Sequence, residues 1–439
     1  MQQPTTAATL RAMALAVRPP RPAKGLRASA LRLAAEALDA NVGTGVPFYD
    51  TARDAQVTAL PTFPDFARRL SRLKRPRTLY GADAANRLAL AWAYSLPRFG
   101  PAPDAWNVFW TELTRTTWSY FEIANLHSFR SDEDVIEFDE GLTIRVRRFE
   151  ALAGLLGWDR DRIDASLGDD WFRSFSPGSH VLILSEEVPK GPDNLVLAGT
   201  GTGWPLIQRL LLAMRLAAPG DVRIGTLYHG RREGIHLIGG LGSSALGGRT
   251  GPGDQYNLTT DRLVDVRNLY ARIRDFYQLH AVRLASITIA LERFSGTFDR
   301  SWSSRADRLI DDMIALEAIV GTRDELAFRI AFRVSGMLEG DDDKRMALFK
   351  GLKSFYDTRS KVVHGSALNV KATEDLAREP ELRGVVQRLL RGILGLIATE
   401  FDPTPKFVTS RLDELLLIPE ERQRLVAAMT TMGSRLRSR

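Results

Sequence analysis

The chain has 439 residues, a net charge of +7 and no cysteine. That length predicts two or three domains, each able to bury a core, and the missing thiols exclude disulfides, thiolate zinc sites, iron–sulfur clusters and cysteine nucleophiles. The positive balance fits a polyanionic partner, and the most apolar run, residues 206–216, is too short for a bilayer and interrupted by Gln208, Arg209 and Arg215, so a cytoplasmic protein that enters no membrane is expected.

No acid precedes Glu36, whereas Arg11, Arg18, Arg21, Lys24, Arg27 and Arg32 recur around Pro19, Pro20 and Pro22. A transit peptide has this composition; without an apolar stretch of the secretory kind, a helical, loosely folded basic terminus is the reading adopted. Residues 1–130 read mostly as helix with proline-rich breaks, including 29–38 and 84–96. Over 105–121 the positions of Trp106, Phe109, Trp110, Trp118 and Phe121 approach helical spacing and predict one buried helix face, with an exposed base-stacking platform as the alternative.

Near residue 131 the period changes. Residues 135–138 and 142–146 flank Asp139-Glu140-Gly141 as a hairpin would, and further strands are predicted at 181–184, 195–198, 222–228 and 235–238, with a helix at 205–216. Residues 131–258 thus form a mixed α/β domain closing in the glycine-rich run 239–253, which reads as a flexible loop or linker. Gly199-Thr-Gly-Thr-Gly203 has a superficial likeness to a dinucleotide turn, but Trp204 and Pro205 stand where close approach needs small residues, and no βαβ unit with a ribose-binding acid follows. No cofactor is predicted.

From about residue 257 onward the pattern is helical. Ten apolar or half-apolar positions from Leu263 to Phe294 alternate by threes and fours, predicting one long helix with His280 as a hydrogen-bonded core residue. Four more helices are predicted at 303–320 (N-cap Ser303 or Ser304), 322–340 (capping box Thr322-Arg-Asp-Glu325), 341–365 (opened by Asp341-Asp-Asp343) and 381–401. Residues 259–439 are therefore a bundle of about five helices.

The histidines are too scattered for a metal site, and neither a Gly-x-Ser-x-Gly elbow nor a phosphate-loop lysine occurs. What remains is Phe355-Tyr-Asp-Thr-Arg-Ser-Lys-Val-Val-His-Gly365, which sets Arg359 and His364 across four intervening residues. A histidine moves protons near neutral pH and a guanidinium holds a phosphate, as metal-free RNA cleavage requires. Spacing alone decides nothing: arginine is common enough that about one such match arises by chance, and Arg231 with His236 is another.

Context separates the two. Leu309-Ile-Asp-Asp-Met-Ile-Ala-Leu-Glu-Ala-Ile-Val320, Leu326-Ala-Phe-Arg-Ile-Ala-Phe-Arg-Val334, Lys344-Arg345 and the Arg359 segment resemble the HEPN fold in its Apea-like branch, whose Tyr-Asp-x-Arg-Ser-x-x-x-His-Gly pattern is met at every fixed position. The resemblance covers roughly residues 265–400. It implies an all-α HEPN bundle and a metal-independent endoribonuclease, acting as a homodimer whose active site forms between protomers. His364 would be the general acid or base and Arg359 the phosphate ligand, supported by Tyr356, Asp357, Ser360 and Lys361. Many catalytic members place Asn, Asp or His where Ser360 stands, whereas serine is usual in the Apea-like branch.

The expected architecture is a helical N-terminal region, a mixed α/β domain and a C-terminal HEPN-like bundle. The family implication is an RNA-cleaving effector of anti-phage defence or a toxin, with a phage or nucleotide trigger acting on residues 1–258. The rival readings are a non-catalytic RNA- or partner-binding scaffold or antitoxin, in which Arg359 pairs with a carboxylate such as Asp357 or Glu317 and His364 only caps its helix, and a nucleotide-sensing α/β domain that gates the bundle.

Overall fold

The computed structural model describes residues 25–40, 51–74, 84–99, 102–139, 142–146, 180–189, 204–231, 242–245, 254–300, 304–321 and 324–434. The protein is mostly helical with a small sheet, and no described helix is long and apolar enough to cross a membrane. Two compact units are present: residues 1–125, 135–203 and 226–245 form one, and residues 126–134, 204–225 and 246–439 the other.

In the first unit, helices α1 (Leu26–Asp39), α2 (Thr51–Thr58), α3 (Phe63–Ser71), α4 (Ala84–Phe99) and α5 (Ala102–Thr114) enclose an aromatic core. Trp92 sits 5.2–5.5 Å from Phe109 and Trp106, and its indole N–H donates to the Ala30 carbonyl at 2.8 Å, so a large buried ring keeps its polar atom satisfied. Trp106, Phe109 and Trp110 are buried, which removes the base-stacking alternative for this helix.

The single helix expected over 105–121 stops at Thr114, and strand β1 (Thr117–His127) begins directly after it. Thr114, Thr116 and Thr117 crowd a helix at Cβ but suit a pleated strand. Phe121 is consequently buried from a strand.

The sheet runs β3 (Val135–Asp139), β4 (Leu142–Val146), β5 (His180–Pro189), β1, β6 (Arg223–Arg231), β7 (Gly242–Ala245). The predicted hairpin is present, antiparallel with Ile136 opposite Ile144 and an irregularity between Glu137 and Asp139. β4 pairs antiparallel with β5 and β6 with β7. β7 corrects the loop expected over 239–253, adding an antiparallel edge to Thr226–His229. The strands expected at 195–198 and 235–238, and the turn at 199–203, lie outside the described residues.

In the second unit, a short β2 (Phe129–Ser131) pairs in parallel with β8 (Tyr256–Leu258). Helix α6 (Trp204–Ala217) buries Arg215, which donates to the Ser295 carbonyl at 3.1 Å and hydroxyl at 2.7 Å and to the Val222 carbonyl at 3.2 Å. The long helix predicted over 263–294 is two, α7 (Thr260–Leu279) and α8 (Ala285–Thr297). Its stripe survives the break, with Ile273 and Phe276 buried before it and Leu284 and Ile287 after, because a break that keeps the same residues inward leaves no mark on hydrophobic period. His280, expected in the core, is the half-exposed C-cap of α7.

Then follow α9 (Arg305–Val320), α10 (Leu326–Leu338), α11 (Asp342–Val363), α12 (Val370–Ala377), α13 (Glu379–Leu396), two short helices, α14 (Pro405–Ser410) and α15 (Leu412–Leu417), and a longer α16 (Pro419–Ser434). The described part of residues 259–434 therefore holds ten helices rather than five. Ser304 is the N-cap of α9, although its hydroxyl bonds Asp307 instead of the backbone. The capping box at 322–325 is not formed in α10, since Glu325 is itself the N-cap, in a left-handed conformation with φ 49°.

Candidate active site

Helix α11 carries the Arg359 segment, and its start is set as the acidic run suggested: the Asp341 carboxylate accepts the Lys344 N–H at 2.9 Å. Asp342 and Asp343 then lie at the positive end of the helix dipole. At the other end the Ser366 N–H reaches the Lys361 carbonyl at 2.9 Å and the Gly365 N–H the Val362 carbonyl at 3.2 Å, with Gly365 at φ +65°. This pair of bonds around a left-handed glycine is a Schellman stop. It makes His364 the C-cap, with an exposed side chain.

Arg359 lies one turn earlier and turned away: five helical residues rotate a side chain by about 140° and raise it about 7.5 Å. Its side chain keeps 23% of its surface, its guanidinium carbon stands 5.8 Å from the Tyr356 ring centre, and Nη2 is 3.4 Å from Glu317 Oε1 on α9. The ion pair is incomplete. Arg359 Nε and Glu317 Oε1 are buried without a hydrogen bond, because the distance allows attraction but the alignment makes no bond. Burial pushes the Glu317 carboxyl above its ordinary range, an effect that the Arg359 charge only partly offsets.

The remaining segment residues divide by face. Asp357 is exposed and Tyr356 and Ser360 half-buried, and the Ser360 carbonyl accepts the His364 N–H at 3.1 Å. Lys361 Nζ donates to Asn369 Oδ1 at 3.3 Å, and the same oxygen caps α12 through the Ala372 N–H at 3.0 Å. Among the described residues the His364 imidazole makes no hydrogen bond or ion pair, leaving it open to solvent.

Asp375 on α12 went unrecognised in the sequence. It is buried and accepts the Ser354 hydroxyl at 2.6 Å and the Thr358 hydroxyl at 2.8 Å, clamping α12 to α11. Two hydroxyls one turn apart on an otherwise apolar helix face require a buried acceptor, and that was the available signal. The loop 364–369 is thus tied at both ends, which fixes where His364 stands.

His236 lies outside the described residues, so nothing places it against Arg231. An open cleft of about 380 Å³, lined by Glu292, Arg293, Gly296, Asp299, Arg300 and Asp311, shares no residue with the Arg359 segment, and both its arginines are bonded to Asp311. Among the described residues no three His, Cys, Asp or Glu side chains converge in a metal-binding group. No protein-family model, curated protein or solved structure matches the chain.

Proposed function

We propose that this chain is a metal-independent endoribonuclease of the HEPN type, active as a homodimer and serving as an effector in anti-phage defence or as a toxin. The observation that carries the reading is an unpartnered, exposed His364 at a helix stop, one turn after a partly exposed arginine whose ion pair is incomplete. In the proposed reaction an RNA 2′-hydroxyl gives its proton to a His364 imidazole and its oxygen bonds to the adjacent phosphorus. The bond from phosphorus to the 5′-oxygen breaks, and that oxygen takes a proton from a second imidazole, leaving a cyclic phosphate and a 5′-hydroxyl. Arg359 would neutralise the charge that grows on the phosphate.

One helix turns Arg359 and His364 to different sides, so apposition of two protomers about a twofold axis would let one groove gather both pairs. Exposed Val363, Leu368 and Val370 flank His364 and suit such a seam. The defence role rests on the family resemblance alone, as does a phage or nucleotide trigger acting ahead of the bundle.

The Arg359–Glu317 contact favours a second reading, a non-catalytic RNA- or partner-binding scaffold in which the guanidinium is structural. Incubating wild type, Arg359→Ala and His364→Ala with single-stranded RNA in excess chelator separates the two. The nuclease reading expects cleavage by wild type and a loss of at least about a hundredfold in each variant. Cleavage that vanishes with chelator, or that survives both substitutions, contradicts it.

A further inference from the structure

The side chains that α11 buries, Leu352, Ser354, Phe355 and Thr358, lie on one face. On the other, steps of three and four residues align Met346, Phe349, Lys353, Tyr356, Ser360 and finally His364. The result is one stripe about 27 Å long that ends at the imidazole.

Its far end is unusually apolar for a solvent-facing surface. Met346 keeps 52% of its surface, and Phe328, on neighbouring α10, keeps 48%. Phe328 is held in place: its ring lies parallel to Phe332 at 5.9 Å and meets Phe349 edge-on at 5.7 Å. Lys353 Nζ lies 5.9 Å from the Phe349 ring centre. Lys350 and Lys353 are exposed, and among the described residues neither has a carboxylate partner. From Lys344 to His364 the only acid is Asp357, against six Lys and Arg residues.

We propose that this stripe is a docking track for single-stranded RNA, with bases stacking at Phe328 and Phe349 and phosphates taken by Lys350 and Lys353, feeding the strand towards His364. The proposal rests on the nuclease reading above and adds the surface along which its substrate would be held. Charge selects the occupant, because a second copy laid on this face would oppose lysine to lysine, whereas a polyanion neutralises both. Stacking selects the strand state, since a duplex presents phosphates but keeps its base faces covered.

The test is fluorescence anisotropy of a labelled oligouridine on full-length His364→Ala protein, into which the track substitutions are added. Phe328→Ala and Phe349→Ala are each expected to weaken binding by about tenfold. The double change Lys350→Gln/Lys353→Gln should reduce the slope of log affinity against log salt by about 1.4. Phe328 and both lysines are solvent-facing, so these variants keep the fold and circular dichroism can verify it.

Unchanged affinity and slope in all variants would overturn the track, as would a duplex binding as tightly as the single strand. A Phe328→Ala protein that changes oligomeric state but not RNA affinity would assign the face to a second copy and also overturn it. If wild type cleaves no RNA while these variants lose binding, the nuclease reading fails and the track stands. If wild type cleaves and the variants bind and cleave normally, the track fails and the nuclease reading stands.

Discussion

Arg359 is held between Tyr356 and Glu317 in an incomplete ion pair, and it is the 23% of its side chain left at the surface, not the buried Nε, that the proposed phosphate would meet. A bidentate carboxylate would be a stronger competitor; Asp413 grips Arg333 in that way, at 2.6 and 2.8 Å. Asp312, on the same helix as Glu317, has the opposite problem. It is fully buried, neither oxygen has a donor, and burial, reinforced by the Glu379 charge, raises its carboxyl well above the ordinary value of 3.8. The folded chain therefore holds this proton more tightly than the unfolded chain. The sign follows: stability is highest below the ordinary carboxylate range and falls as pH rises towards the raised value. Asp312→Asn should add about 2 kcal/mol at pH 8 and leave pH 4 unchanged in denaturant titrations. Equal effects at the two pH values would show that the carboxyl is not held neutral.

At the level of elements, the stop of α11 positions the imidazole. An added Cβ at Gly365 meets nothing within 4 Å, so Gly365→Ala strains only the backbone at φ +65°. It should cost about 1 kcal/mol, with Gly365→Asn costing less, as read by thermal unfolding. A neutral or stabilising Gly365→Ala would mean that the stop is not formed in solution. This end of the fold was legible, because an acidic N-cap, an unbroken helical period and a glycine coincide: 341–365 was expected and Asp342–Val363 is found. Helix α9 was legible from its apolar period and a serine cap, within two residues at its start. The break between Leu279 and Ala285 was not, since both halves keep the stripe inward. Nor was α12, whose eight residues are too few to show a period and whose cap, Asn369, is a common loop residue. Arg359 and His364 stood out through their neighbours, while Asp375 was hidden because its importance depends on Ser354 and Thr358, 21 and 17 residues away.

On the scale of the whole molecule, the central idea is that one helix cannot bring Arg359 and His364 to the same groove and that two protomers can. Specific activity should accordingly fall when the protein is diluted below its dimer dissociation constant, measured as cleavage rate per protomer. A constant value across the monomer–dimer range, followed by sedimentation, would place the whole site in one chain. The most direct measurement is the chemistry of the cut ends, determined by mass spectrometry of RNA treated with wild type and with His364→Ala in chelator. Wild type is predicted to leave 2′,3′-cyclic phosphates and 5′-hydroxyls that His364→Ala does not produce. Ends bearing a 3′-hydroxyl and a 5′-phosphate, or identical products from both proteins, would contradict the account.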